Sequence, residues 1–241
     1  MSKITSALQI MPQEIYKESD TQKTDLGALA RTPDGRAFRY VKAGGTALVA
    51  GKLQQGPDIT AYHQNVAVAA AAAIGATQVT VTLGATAATA GQYANGYLIV
   101  NDETGEGQTY QIKSNPAADA SASLVVTLYD EDALVTALTT SSEVCLIPNL
   151  YNGVIVNPTT PTNAPVGVAV YPITASYYGW VQVYGVVSCL NDSNTTVGLA
   201  IAPSQSVAGS VKTGATTLDS IGTALQAGVD TEYRTVFLRI G

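Results

Sequence analysis

Gln78-Val79-Thr80-Val81-Thr82-Leu83 alternates strictly, with Val79, Val81 and Leu83 on one side and Thr80 and Thr82 on the other. A period of two is the pattern of a strand with one face on a core and one in water. The stretch before it, 66–76, is an apolar Ala-rich run. Alanine favours helix, but the run has no polar face and passes through Gly75 straight into the alternating segment, so it is read as mostly extended. Downstream, strands are predicted over 97–100, 109–113, 123–129 and 143–147, separated by turn-rich 101–107 and 115–120. One short helix is predicted over 130–140, from acids at its start and Ala133, Leu134, Ala137 and Leu138 at helical spacing.

Outward from this block, alternation returns at Val166, Val168 and Val170, at Val181 and Val183, at Val197, Leu199 and Ile201, and at Val236, Leu238 and Ile240. The Pro/Thr/Asn segment 157–165 reads as a connector, with a boundary near 148–157. Towards the front, turn signals at Thr32-Pro33-Asp34-Gly35, Gly44-Gly45 and Gly56-Pro57 bracket β candidates over 37–42 and 47–53. Residues 1–24 lack periodicity and read as an extended arm. No internal repeat is visible. The expected fold is mainly β: a β-sandwich or barrel-like body with an extended N-terminal arm and a second small β-domain. Its expected parts are an arm with short β segments over 1–65, an accessory β-domain over 66–148 and a C-terminal β-domain over 149–241.

Charge is sparse and unevenly laid out. Charged residues are 12% of the chain, about half the usual share. Eight of the 12 Lys and Arg residues fall within positions 1–52 with only five acids, while the rest holds four bases and 13 acids, for a net −6. A surface so poor in charge points to oligomerisation. The net negative charge argues against a general nucleic-acid binder, which needs clustered Lys and Arg. No secretory signal is expected, and the longest apolar run, 66–76, is about half of what spans a bilayer.

Side chains with reactive chemistry are few. His63 is the single histidine, so His-based triads and multi-His metal sites lack their parts. It is read as a surface or hydrogen-bonded residue. Cys145 and Cys189 make neither a disulfide framework nor a zinc set and are read as buried thiols. The segment 44–52 fails as a phosphate loop, because its glycine spacing is one too long and Leu53 stands where Ser or Thr would bind magnesium. Asp102, Glu103 and Glu106, and Asp130, Glu131 and Asp132, are acidic knots without the alternation of a calcium loop. No catalytic, cofactor-binding or metal residue is assigned, and no enzyme activity or cofactor is expected. Tyr177, Tyr178, Trp180 and Tyr184 form the densest aromatic cluster. Alternation opposes Trp180 and Tyr184 to Val181 and Val183, which leaves open a contact surface, a sugar platform or a second buried face.

Three stretches together resemble the head decoration (cement) proteins of tailed bacteriophages and related virion proteins. They are Asp34-Gly35-Arg36-Ala37-Phe38-Arg39-Tyr40 with Ala47-Leu48-Val49-Ala50-Gly51-Lys52, then Gly179-Trp180-Val181-Gln182-Val183-Tyr184-Gly185, and Ile221-Gly222-Thr223-Ala224-Leu225 followed by 235–240. Residues 66–148 carry no part of the resemblance. It implies a structural protein made in the host cytoplasm and placed on the exterior of an icosahedral head. It also implies a homotrimer that binds the major capsid protein, with no membrane and no direct nucleic-acid contact. On this reading the capsid-contact candidates are Lys17, Lys23, Arg31, Arg36, Arg39 and Lys42, and the oligomer-interface candidates are Tyr178, Trp180 and Tyr184. The alternative is a phage fibre or appendage module that binds glycans through the aromatic patch. A polysaccharide hydrolase would need two carboxylates facing across a groove, and a major capsid protein would need a long spine helix.

Overall fold

The computed structural model describes residues 8–213 and 220–240. In chain order the strands are β1 (Leu8–Gln9), β2 (Leu29–Arg31), β3 (Ala37–Ala43), β4 (Leu53–Gln55), β5 (Val66–Ala67) and β6 (Gln78–Thr82). Then come β7 (Tyr97–Asp102), β8 (Thr109–Ser114), β9 (Ser123–Leu128), β10 (Glu143–Ile147), β11 (Asn152–Val156) and β12 (Pro165–Ala169). The last are β13 (Tyr178–Leu190), β14 (Ala200–Pro203), β15 (Val211–Thr213), β16 (Gly222–Ala224) and β17 (Tyr233–Arg239). The fold is mainly β, as the alternation predicts. The chain divides into two compact units, Met1–Pro57 with Leu150–Gly241, and Asp58–Asn149.

In the first unit β3, β11, β4, β12 and β13 are hydrogen-bonded in that order, and β13 pairs back onto β3, which closes a five-stranded barrel. Val41, Ala43, Val154, Val166, Ala169 and Val181 fill it. β13 is 13 residues long, and its second half leaves the ring to pair with β17, starting the run β17-β16-β14-β15. A second core forms on the inner side of that run from Val187, Cys189, Ile201, Val211, Val236 and Leu238. The front of the chain and its C-terminal part therefore share one sheet. This corrects the expected separation of 1–65 from 149–241.

The inserted unit spans 58–149, against the expected 66–148. Its sheet runs β5-β10-β7-β8-β9-β6, and a bridge from Val68 to Val81 joins the ends into a barrel. Val79, Val81, Leu98, Val100, Tyr110, Ile112, Leu124, Val126, Val144 and Leu146 point inward. Burial alternates along these strands, although β7, β9 and β10 carry apolar residues on both faces in sequence. The helix expected over 130–140 is absent; only Asp130–Asp132 forms a 3₁₀ turn. Leu134 and Leu138 are instead extended residues that plug the barrel, hydrogen-bonded through their backbones to Ala76 and Ala72. The 66–76 run forms no helix: it is extended at 66–68 and bridged at Ala72, with a turn at Ile74 and Gly75.

A local device recurs in both units, although no repeat shows in the sequence. Four isolated antiparallel bridges, Leu48–Ile173, Ala72–Leu138, Ala88–Ala118 and Thr195–Gly228, are each hydrogen-bonded in both directions. Each bridging residue leads into a tight turn closed by a hydrogen bond from the residue four on to the carbonyl of the residue one on. In seven of the eight turns the third residue after the bridge has positive φ: Gly51, Gly75, Gly91, Ser121, Ser176, Gly198 and Thr231. That is the requirement of a type II turn. At Gly51 a side chain is also excluded by space, since a Cβ would lie 2.5 Å from the Tyr233 ring. Residues 47–53 are therefore a bridge and a turn leading into β4, not the strand expected there.

The described part of the front segment is no detached arm. β1 pairs with β2, Ser19 and Tyr178 exchange backbone hydrogen bonds of 3.0 and 2.8 Å, and the Glu18 carboxylate accepts from the amide and hydroxyl of Thr174. Ile15, in a 3₁₀ turn packed against β13, is 1% exposed. Residues 8–24 form a strap fastened across β13. Ile15→Ala is expected to lower stability by about 2–4 kcal/mol, the usual cost of removing a buried Ile side chain. The measurement is a fall in the urea midpoint with unchanged slope; a midpoint equal to the parent's would mean that the strap does not pack.

Candidate interaction surfaces

The strap and the outer face of β3 and β13 border a cleft of about 390 Å³ lined by Leu8, Ile10, Lys17, Lys23, Tyr40, Tyr178 and Trp180. Tyr40 stands opposite Trp180 across β3 and β13, their ring centroids 5.0 Å apart, and its ring is nearly parallel to that of Tyr178 at 6.1 Å. The Tyr40 hydroxyl accepts from the Lys23 amide, and burial pushes its phenol up from the usual value. Tyr178 and Trp180 are half-buried. The expected trio with Tyr184 is not one patch. The β3–β13 register shifts between Gln182 and Tyr184, and Gly185 takes φ of +96° with Arg36 packed against it. Tyr184 instead meets Phe237 edge-on at 5.1 Å.

The six cations proposed from the sequence fall into two groups. Lys17 lies 2.6 Å from Glu14 in the strap, and Lys23 donates to the Thr21 hydroxyl. Glu14, Glu18, Asp20 and Asp25 outnumber Lys3, Lys17 and Lys23 over residues 1–30, so the positive excess is not in the strap. It belongs to the β2–β3 hairpin and the turn into β4: Arg31, Arg36, Arg39, Lys42 and Lys52 against Asp34 alone. Three of these lie over rings, Arg36 on Phe38 at 5.6 Å, Arg39 on Tyr151 at 5.8 Å and Lys42 on Tyr178 at 5.4 Å. Such placement holds a long side chain in one direction while leaving its charge. Arg39 also donates to the Gly27 carbonyl, and Arg36 pairs with Asp34 at 2.8 Å. The Thr32 hydroxyl, with Arg36, holds the Asp34 carboxyl below the usual range. Arg31 is exposed.

A second surface is the outward side of the β13–β17–β16–β14 sheet, opposite its core. Tyr184, Val186, Leu225 and Tyr233 are exposed there. Clefts of about 460 and 470 Å³ flank Val186, one beside Asp34, Arg36 and Phe237, the other beside Tyr16, Ser188, Tyr233 and Thr235. Tyr40, Val186 and Phe237 escaped the sequence reading. The only signal for them was alternation, which does not say which of two faces a neighbour will cover.

The residues weighed for chemistry in the sequence have structural surroundings. His63 is fully buried, with Nε2 donating to the Thr86 carbonyl at 2.8 Å and Nδ1 accepting from the Tyr93 hydroxyl. Burial pushes the Tyr93 phenol up to about 12, so it stays a donor to the imidazole. Asp102 accepts from the Glu103 amide in its turn, and Asp132 accepts from the Gln111 amide. Among the described residues no three His, Cys, Asp or Glu side chains gather as a metal site would need. No described helix is long and apolar enough to cross a membrane.

Comparison of the chain with protein-family models, with characterised proteins and with solved structures returns no match.

Cys145 is half-buried, whereas Cys189 is fully buried and burial pushes its thiol up to about 12. At pH 8 Cys189 thus holds almost no thiolate, the reactive form. An aromatic disulfide reagent should label at most Cys145 in the native protein and both cysteines in denaturant. Rapid labelling of both without denaturant would contradict the second core described above.

Proposed function

We propose that the chain is a non-enzymatic structural protein of a virion, a decoration or cement protein that binds the major capsid lattice from outside the head as a homo-oligomer of three copies. The trimer number and the virion location come from the family resemblance. The observation that supports docking is the β2–β3 hairpin, which gathers Arg31, Arg36, Arg39 and Lys42, three of them over aromatic rings, while the rest of the chain is acidic. A capsid exterior rich in carboxylates is the complementary surface. Attachment of an oligomer at several such hairpins multiplies modest contacts through high local concentration.

The cleft under the strap supports a second reading, a glycan-binding appendage module. Trp180 and Tyr178 offer ring faces there beside lysines and hydroxyls, the mixture a sugar needs.

The test is binding of purified protein to undecorated capsids, followed by imaging of the particles. Regularly spaced density outside the head is expected, with affinity falling as salt rises. Arg31→Gln with Lys42→Gln should weaken binding roughly tenfold or more, as loss of charge-assisted contacts does, at an unchanged melting temperature. Undiminished capsid saturation by this double variant would overturn the docking face. Glycan binding abolished by Trp180→Ala, with no capsid binding by the parent, would establish the second reading.

A further inference from the structure

Two apolar patches lie on the first unit's open sheet, and their rims carry opposite charge. The first is built by Tyr184 and Val186 on β13 with Phe237 on β17; Val186 and Phe237 are directly paired. Arg36 at its edge is neutralised by Asp34, and Arg239, which donates to the Thr223 hydroxyl, supplies positive charge. The second patch lies two strands away. The Thr195–Gly228 bridge and the backbone bonds of Ala224, its amide to the Leu199 carbonyl and its carbonyl from the Gly198 amide, gather Val197, Leu199, Leu225 and Val229 at one end of the sheet, each between 45% and 55% exposed. Glu232 there is neutralised by Arg234, and Asp230, also exposed, supplies negative charge.

We infer that these patches are the two halves of a head-to-tail interface between copies of this chain, the Val186 patch of one protomer packing on the Val197–Val229 patch of the next. The inference rests on the homo-oligomer reading above and moves the interface away from Tyr178 and Trp180, which the strap already covers in part. Charge disfavours the pairing of like patches. Like-on-like pairing would set Arg239 against Arg239, or Asp230 against Asp230. Head-to-tail pairing sets guanidinium near carboxylate at the rim of an apolar contact, where rim charges guide orientation. Both patches lie on one sheet face, so a two-fold pair would also match unlike rims by using both at once; the three-copy reading above selects instead one patch per partner, a heterologous contact that closes into a ring when the rotation permits, with three copies the smallest such ring. The occupant is a second copy because both complementary halves are present on one chain.

Both patches are exposed, so substitutions there should leave the fold intact, with melting temperature as the check. By light scattering the parent should hold three copies. Val186→Glu alone and Val229→Glu alone should each be monomeric, their association at least tenfold weaker. Each variant keeps one good half, so an equimolar mixture should form one-to-one pairs and stop there. Monomeric parent at every concentration, a parent that stops at two copies, single variants that assemble like the parent, or a mixture that stays monomeric would each overturn the inference. Capsid binding is scored separately. A parent that assembles through these patches yet never binds capsids refutes the decoration reading alone, and one that coats capsids as single copies refutes the interface alone.

Discussion

The pairing of β3 with the first half of β13 is the contact on which the rest of the first unit depends. It joins segments on either side of a 92-residue insertion, Asp58–Asn149, and turns an open sheet into a closed ring. Closure removes two strand edges that would otherwise need another chain or a covering loop. It also fixes the direction of the second half of β13, which carries β17 and so founds the second core and the outward face. The strap depends on the same strand, since Ser19 pairs with Tyr178 at its start. The entropic cost of bringing such distant segments together is modest for two reasons. Closure entropy grows only slowly with loop length, and within the first unit Gly56 and Leu150, which flank the insertion, already adjoin.

The reciprocal bridges do for the strand ends what the ring does for the edges. Chain leaving a barrel rim must either expose its amides or find partners. Two turns set against each other satisfy one amide and one carbonyl apiece, and the positive-φ residue swings each chain back into the next strand. The device occurs in both units, so it reflects a shared solution to a backbone problem. Thr231 shows how strongly it is imposed: a β-branched residue holds φ of +63° there, a conformation such residues rarely adopt.

Strands were legible in the sequence wherever one face met a core, because alternation records burial directly. β6, β8, β9 and β10 fall within a residue or two of their expected limits. What escaped the sequence depends on partners distant in the chain. Leu134 and Leu138 stand four apart, as helix residues would, yet two plugs in a barrel satisfy the same spacing. Ile15 is a lone apolar residue in a polar stretch, and nothing local reveals that β13 will bury it. The turn repeat was hidden because its shared property is a backbone angle, met by Gly in four turns and by Ser or Thr in three. For the surfaces, the sequence located the cations and the aromatic residues but not their grouping. The register shift before Tyr184 separates it from Trp180, and the ring stacking of Arg39 and Lys42 needs Tyr151 and Tyr178 from the far side of the insertion.

Charge layout connects fold to assembly. A chain of net −6 repels its copies unless they meet where acids are scarce or answered by bases. The outward sheet face meets that condition, with single charges of opposite sign at its two patches and neutral apolar side chains between. Apart from Arg36, which borders the first patch, the hairpin cations Arg31, Arg39 and Lys42 lie along β2 and β3, where they would be wasted in a contact between acidic copies but suit an acidic partner. One barrel strand thus separates two kinds of contact. The first half of β13 pairs with the cation-bearing β3 and supplies the Tyr178 ring under Lys42, and the second half presents the neutral face. On the proposed reading, self-association and attachment would share only Arg36, whose charge Asp34 already answers.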